Sequence, residues 1–582
     1  MPPETLPTWD LKTLFLNDTK LEEAISELRK EGREFQKYRN MLPKATPALI
    51  EEILRRKERM STIGSRIGGY SNMLFSTNTT DEKVKALESR LSLMGAEVGN
   101  QTMFFGLWWM GLPKEKAQAL LPKNPEYRHT LLEMRKFSPH MLSEKEEQLA
   151  NLKDTTGEEA LVKLYDIITN EFTFPWEKEG KTVMVPEEEI RAYIKHPNPK
   201  YRVRAYQRLW ETYGAHNPVL GEIYRNLVLD VWNENVGLRK YERPISARNL
   251  GNNLTDKMVD TFLGVCRKNT KIFQDYFQWK TKELGVDYSR YHIYAPLPQP
   301  EKKWGFEEGY KHVMAAYRGF SPRMEKEAHR VLTQNRMDVP IRKGKRGGAY
   351  CAGITPEETS FVLLNWAGNY TDVSTLAHEL GHAVHNHLSS SHSILNHHAP
   401  LPLAETASTF GEMLLADRMM EQNKEEGFTR YMLAHQVDDA YASIPRQAFF
   451  SLFEMEAFDL IREGKTIPDI HDAYKKNLQE QLGSMHLPEN VSNEWTMIQH
   501  FFHYPFYVYA YAFGQLLVYA LWEMYQEEGK SFVPRYETFL SYGGSEDPEK
   551  MLLEIGFDPN KKASWQKGFD LLEAKVKKLK AL

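Results

Sequence analysis

Residues 377–390 read AHELGHAVHNHLSS, with His378, Glu379 and His382 in the order His-Glu-x-x-His. Four residues apart on a helix, the two histidines lie one turn above the other, so both imidazoles can reach one point. Glu379 is rotated about 100° from His378, which brings its carboxylate near that point without making it a ligand. Two imidazoles on a metal and a carboxylate beside it are the parts that metal-assisted hydrolysis needs. The bland alternative is a polar stripe on an ordinary helix, but a chain with 19 histidines in 582 residues seldom matches this order by chance.

A catalytic zinc takes three protein ligands and leaves a fourth position for water. A metzincin would carry Gly at 385 and His at 388, whereas this chain has His385 and Leu388. Glu405, in PLAETAS, follows His382 by 23 positions and opens a further helix. Folded back antiparallel through the Ser/His/Pro-rich link, that helix would bring Glu405 beside the histidine pair. Glu412, two turns on, either accepts from a ligand imidazole or faces solvent. His385 lies one turn beyond His382 on the same face and either joins the site or bonds locally.

Hydrolysis at such a metal builds an oxyanion, which needs neutral donors. The run HFFHYPFYVYAYAFGQ, residues 500–515, offers them, with His500, Tyr507 and Tyr509 the candidates and His503 behind. Pro505 is the expected start of its helix, and most of the other aromatics are expected in the core.

These side chains must be positioned by the elements around them. KGKRGGAYCAG (343–353) and FVLLNW (361–366) predict two strands of a small sheet, Gly368-Asn369 ends the second, and Asp372 is the expected N-cap of the motif helix. The second strand is expected to bind substrate backbone by strand addition, making Gly368 and Asn369 substrate contacts, with His503 and Tyr504 in the same role. Gly347 and Gly348 form either a flexible loop over the site or a simple hairpin turn. Elsewhere the periodicity is helical. Thr19 with Glu22 and Thr79 with Glu82 suit capping boxes, and the N-terminal third reads as almost wholly helical. HPNPK (196–200) predicts a boundary near residue 200, dividing an N-terminal helical lobe, 1–200, from a catalytic domain, 201–582.

At 582 residues the chain exceeds what one hydrophobic core supports. A net charge of -4 without a basic stripe gives no reason to expect nucleic acid. Two cysteines without metal or disulfide spacing, and no basic-then-apolar leader, predict a cytoplasmic protein. Residues 495–522 lack Asp, Glu, Lys and Arg and are long enough to cross a membrane, but two histidines, two glutamines and a proline predict a helix buried in protein instead.

With these motifs in view, the chain resembles the thimet oligopeptidase family of zinc metallopeptidases. The family's longer signature, His-Glu-x-Gly-His-x-x-His, is present as His378, Glu379, Gly381, His382 and His385, and its third ligand matches Glu405 in ETAS. HFFHYPFYVYAYAFG is similar to its Tyr-rich catalytic segment, with His500, Tyr507 and Tyr509 at substrate and oxyanion positions; Phe502 stands where a tyrosine is expected, and Tyr504 is a substitute. The resemblance implies a mainly α, two-lobed zincin-type body with a deep central groove and a small β-sheet beside the active-site helix. It also implies one zinc ion per chain and short peptides as substrates, with no membrane partner and no oligomeric state specified. The rival readings are a metallocarboxypeptidase or dipeptidyl carboxypeptidase on a similar scaffold, and a peptide-binding protein with an idle zinc site.

Overall fold

The computed structural model describes residues 6–298 and 302–582. Helix accounts for 72% of it and the sheets are small, so the expectation of a mainly α fold holds. The chain divides into two compact units: Met1–Met141, Glu301–Gln422 and Met524–Phe557 form the first, and Leu142–Pro300, Asn423–Glu523 and Asp558–Leu582 the second. Each is assembled from three separate stretches. The expected boundary at residue 200 falls inside helix Pro199–Trp232 of the second unit.

In the first unit, helices Asp18–Phe35, Pro47–Thr77 and Glu82–Met110 pack around Leu21, Ile25, Leu28, Ile53, Phe105 and Trp109. Leu21, Ile25 and Leu28 recur at helical spacing, and that face is the one buried. The N-caps are Asn17 and Asp81, each two residues from the expected threonine, because an Asn or Asp side-chain oxygen accepts first-turn amides at least as well.

The same unit holds a three-stranded sheet of β3 (Met337–Asp338), β4 (Tyr350–Ala352) and β5 (Phe361–Leu363). Its order is β3-β5-β4, with β3 parallel and β4 antiparallel to β5. The expectation of two strands missed β3, which is only two residues long. Buried Asp338 receives Arg342 through both guanidinium nitrogens at 2.7 and 2.9 Å and Lys345 at 2.7 Å, tying the glycine-rich link back to the sheet. Asn365 donates to the Arg346 and Gly348 carbonyls, so the loop around Gly347 is held in place rather than free to close.

The second unit holds the exception to the almost wholly helical N-terminal third. β1 (Thr173–Lys178) and β2 (Lys181–Pro186) form a hairpin whose turn residues Glu179 and Gly180 have φ of 51° and 75°. Two consecutive positive φ angles give the twist that a two-residue hairpin loop favours. Deeper in this unit, buried Glu494 accepts from Arg290 at 2.8 Å through both oxygens, from Arg446 at 3.2 Å and from the Tyr474 hydroxyl at 3.1 Å. The apolar stretch 495–522 is divided between helices Gln499–His503 and Tyr509–Glu528, so the helix begins four residues after Pro505. Among the described residues no helix is long and apolar enough to cross a membrane.

In the first unit, motif helix Tyr370–Leu388 crosses helix Thr406–Gln422 at Gly381. A Cβ at Gly381 would lie 2.5 Å from both the Ala407 carbonyl oxygen and the Ser408 Cα. Backbone cannot yield as a side chain does, so Gly381→Ala must part the helices. We expect it to lower the denaturation midpoint by an equivalent of about 1–3 kcal/mol, the usual range for overpacking, despite the better helix propensity of alanine. Gly95→Ala, whose Cβ would meet nothing within 4 Å, is the control, and equal midpoints for the two variants would refute the packing argument.

Candidate metal centre

The motif helix starts from a rigid corner. Asn369, not Asp372, is its N-cap: the Asn369 side chain accepts from the Asp372 amide, and Asp372 completes the capping box from the third helical position. Asp372 Oδ2 accepts from the amides of Ala367, Gly368 and Asn369 at 2.8, 2.7 and 3.1 Å. The Gly368 carbonyl accepts from Trp304 N at 2.8 Å, and a Cβ on Gly368, whose φ is +83°, would meet the Trp304 oxygen at 2.9 Å. Gly368 and Asn369, expected as substrate contacts, therefore have backbone groups engaged at the helix start.

Two turns further on, three side chains converge. His378 Nε2, His382 Nε2 and Glu405 Oε2 form a triangle with all three edges 3.2 Å. A tetrahedral ion with bonds of about 2.0–2.1 Å keeps its ligand atoms roughly 3.3–3.4 Å apart, so the donor set His2Glu and its spacing fit zinc. Among the described residues this is the one group of His, Cys, Asp or Glu with metal-ligand geometry. Glu405 lies in the bend between helices Leu401–Ala404 and Thr406–Gln422, and Ser408 Oγ donates to its Oε2 at 2.8 Å, fixing the carboxylate plane.

Glu412, whose role the spacing left open, accepts from His378 Nδ1 at 2.5 Å and from Ser374 Oγ at 3.2 Å. That bond leaves Nε2 as the metal-facing nitrogen. Tyr317, which sequence reasoning passed over, donates its hydroxyl to the Ala377 carbonyl at 2.5 Å, one residue before His378. Its place is recorded in Gly411: a Cβ there would strike the Tyr317 hydroxyl.

Glu379 is only 6% exposed. Burial pushes its carboxyl up while the two imidazoles pull it down, and the balance lies above the ordinary glutamate range. For His378 burial works against the charged form, but hydrogen bonds to Glu405 and Glu412 raise its pKa well above normal. Burial likewise opposes charge on Glu405, which the histidines nevertheless hold far below the usual carboxylate range. Three carboxylates around two imidazoles make a field that favours a cation.

His378, Glu379, His382 and Glu405 line a cavity of about 500 Å³, which residues Ala349 to Gly353 also line. That stretch contains β4, an outer strand, whereas β5 is paired on both sides. Strand addition along 361–363 is therefore blocked, and of the two outer strands, β3 and β4, the one that lines the cavity is β4. The Cys351 thiol on β4 is pushed well up by burial, with Glu379 adding to the effect.

The neighbouring histidines divide by partner. His385 lines the cavity, but its Nε2 is buried without a hydrogen bond, and burial lowers its pKa to about 3. His387 ties the helix to its surroundings, Nε2 accepting from Ser360 N at 3.0 Å and Nδ1 donating to the Glu327 carbonyl at 3.1 Å.

The aromatic cluster lies in the second unit. His500 and Tyr507 stack with centroids 6.0 Å apart at 11°, and Tyr511 meets the Tyr507 ring edge-on at 5.4 Å. Tyr504 is 57% and Tyr511 39% exposed. Tyr509, expected as an oxyanion donor, is fully buried, and its hydroxyl accepts from Asn252 Nδ2 at 2.8 Å, which weighs against that role. The exposed partner of Tyr507 is Tyr511, four residues on; two residues on, Tyr509 points to the opposite side. His503 is bound through Nε2 to Asp166 at 2.7 Å, so its ring is not free to meet a substrate as expected.

The family model described as peptidase family M3 matches residues 318–571, and that described as oligopeptidase F matches residues 108–174. The chain is 25% identical over 600 residues to oligopeptidase PepF of Bacillus subtilis, covering 99% of this chain and 87% of that one. It is 24% identical over 595 residues to an oligoendopeptidase F homolog of Lactococcus lactis, covering 99% and 97%. Among solved structures, oligoendopeptidase-F from Enterococcus faecium superposes with a TM-score of 0.73 at 20% identity, covering 97% of this chain and 99% of that one.

The triangle predicts metal content directly. Glu405→Ala should lose most bound zinc on dialysis, and Glu412→Gln should weaken affinity by about 10- to 100-fold, as loss of an imidazole's carboxylate partner does elsewhere. Atomic emission on the dialysed proteins reads both, and full retention of zinc by Glu405→Ala would remove it from the ligand set.

Proposed function

We propose that the chain is a member of peptidase family M3 and a zinc-dependent endopeptidase cutting internal bonds of short oligopeptides. The observation that carries the reading is the His378–His382–Glu405 triangle with Glu379 beside it, in a cavity walled by an outer strand. His378, His382 and Glu405 would hold one zinc ion. When bound, zinc supplies Lewis acidity, making water more acidic and a peptide carbonyl more electrophilic.

The chain's own residues do the rest. β4 offers backbone groups to an extended peptide, which aligns the scissile bond without reading side chains. Glu379, with its raised pKa, takes the proton from the attacking water and delivers it to the leaving nitrogen as the C–N bond breaks. Neutral donors for the developing oxyanion are His500, Tyr507 and Tyr511, an assignment that rests on their chemistry and exposure. Burial together with His503 keeps His500 below the ordinary histidine range, and hence neutral near pH 7. An exopeptidase reading would need a cation beside the metal to receive a terminal carboxylate, and the described residues lining the cavity include no Arg or Lys. The cytoplasmic location belongs to the same proposal and rests on the two sparse cysteines.

A peptide of roughly ten residues blocked at both ends should be cut internally by the zinc-loaded protein, and not after chelation, as read by mass spectrometry. If only a free C-terminus permits cutting, the endopeptidase reading fails. Glu379→Gln should retain zinc and lose about 10²–10⁴-fold in kcat, the range for a general base. Tyr511→Phe should lower kcat by roughly 10²-fold, as loss of one oxyanion donor does. Tyr509→Phe should instead leave kcat alone and lower stability by about 1–3 kcal/mol, because the Asn252 amide loses its partner. Reversed behaviour of the two tyrosines would restore Tyr509 to the site.

A further inference from the structure

The turn that carries Tyr507 is held in an unfavourable backbone. Phe506 has a φ of +57°, the left-handed region that bulky aromatic residues rarely enter. Two residues one turn apart on helix Pro445–Arg462 grip it there. Glu454 Oε1 accepts the Phe506 N–H at 2.9 Å, and the Phe458 ring meets the Phe506 ring with centroids 4.7 Å apart. The preceding carbonyl, of Pro505, accepts from Arg248 Nε at 3.3 Å.

Glu454 is 1% exposed, and its other oxygen, Oε2, is buried without a hydrogen-bond partner. A buried carboxyl satisfied at one oxygen is a poor device for stability alone, since an apolar side chain of similar size would avoid the desolvation. What it does achieve is local: it fixes the conformation of one residue. Downstream of that residue the Tyr507 N–H closes onto the Tyr504 carbonyl at 3.1 Å, and the Tyr507 ring lies parallel to His500 and against Tyr511.

We propose that Glu454 is a positioning residue for the reaction: by holding Phe506 in the left-handed conformation it sets the orientation of Tyr507 and, through Tyr507, of His500 and Tyr511. The inference rests on the reading of these three as oxyanion donors. Burial pushes the Glu454 carboxyl up to about 8, against the pull of the Phe506 amide and Arg248, so near pH 7 it is largely neutral and glutamine is a close substitute.

The test compares variants of the zinc-loaded full-length protein on the blocked peptide. Glu454→Leu should lower kcat by roughly 10- to 100-fold, the scale of loss from small misplacements, with KM and zinc content unchanged. Glu454→Gln, which keeps an acceptor, should restore kcat. In a Tyr507→Phe background Glu454→Leu should cause a smaller loss than in the parent, because the hydroxyl it misplaces is already gone while His500 and Tyr511 still follow the ring. Should the leucine variant not fold, Glu454→Met, unbranched and of similar length, carries the same comparison. If Tyr507→Phe slows turnover while Glu454→Leu does not, or if the two losses multiply, Glu454 has no positioning role although Tyr507 keeps its own. If Tyr507→Phe turns over like the parent, the donor reading fails and this inference falls with it.

Discussion

The metal centre depends on how closely two helices approach at Gly381. The missing side chain there lets the Ala407 carbonyl and the Ser408 backbone come within what would be overlap for any other residue. Glu405 begins at that crossing, so the depth of the contact sets the distance from its carboxylate to the two imidazoles. A ligand triangle with 3.2 Å edges tolerates shifts of only a few tenths of an ångström before tetrahedral coordination is lost. Gly411 on the facing helix admits the Tyr317 hydroxyl to the Ala377 carbonyl in the same way. Two glycines therefore locate the ligands, though neither touches them.

Around this crossing four carboxylates do different work because their surroundings differ. Asp372 accepts three backbone amides and anchors the helix start. Glu412 accepts from His378 and fixes which nitrogen faces the metal. Glu405 completes the triangle, with Ser408 holding its plane. Glu379 alone makes no hydrogen bond to another side chain among the described residues and is buried, which raises its proton affinity and suits the base role proposed for it. Equivalent chemistry at the four positions becomes four roles through burial and partners alone.

The second unit shows the complementary strategy, in which strain and burial orient exposed groups. Phe506 is held in left-handed backbone by Glu454 and Phe458, and the half-buried ring of Tyr507 and the exposed rings of Tyr511 and His500 follow from that turn. Tyr509, pointing inward, is bound to Asn252 and belongs to the support.

What the sequence determined by itself was whatever depends on spacing along one helix. His378 and His382 face one point because four residues make about one turn, Glu379 stands beside them for the same reason, and Leu21, Ile25 and Leu28 mark a buried face. Glu405 was legible as the start of a helix that must fold back, since the motif lacked a third ligand of its own. Tertiary structure decided what depends on neighbours distant in sequence. Asn252, 257 positions away, turns Tyr509 from donor to support. The two-residue strand β3 places β5 at the centre of the sheet and leaves β4 at an edge, so the strand proposed to meet a peptide moves from the apolar run 361–366 to the glycine-rich stretch 343–353. Asp166 occupies His503, and Trp304 and Asp372 occupy the backbone around Gly368. A residue's type and spacing state which hydrogen bonds it can make, but only the packed chain decides which partner reaches it first.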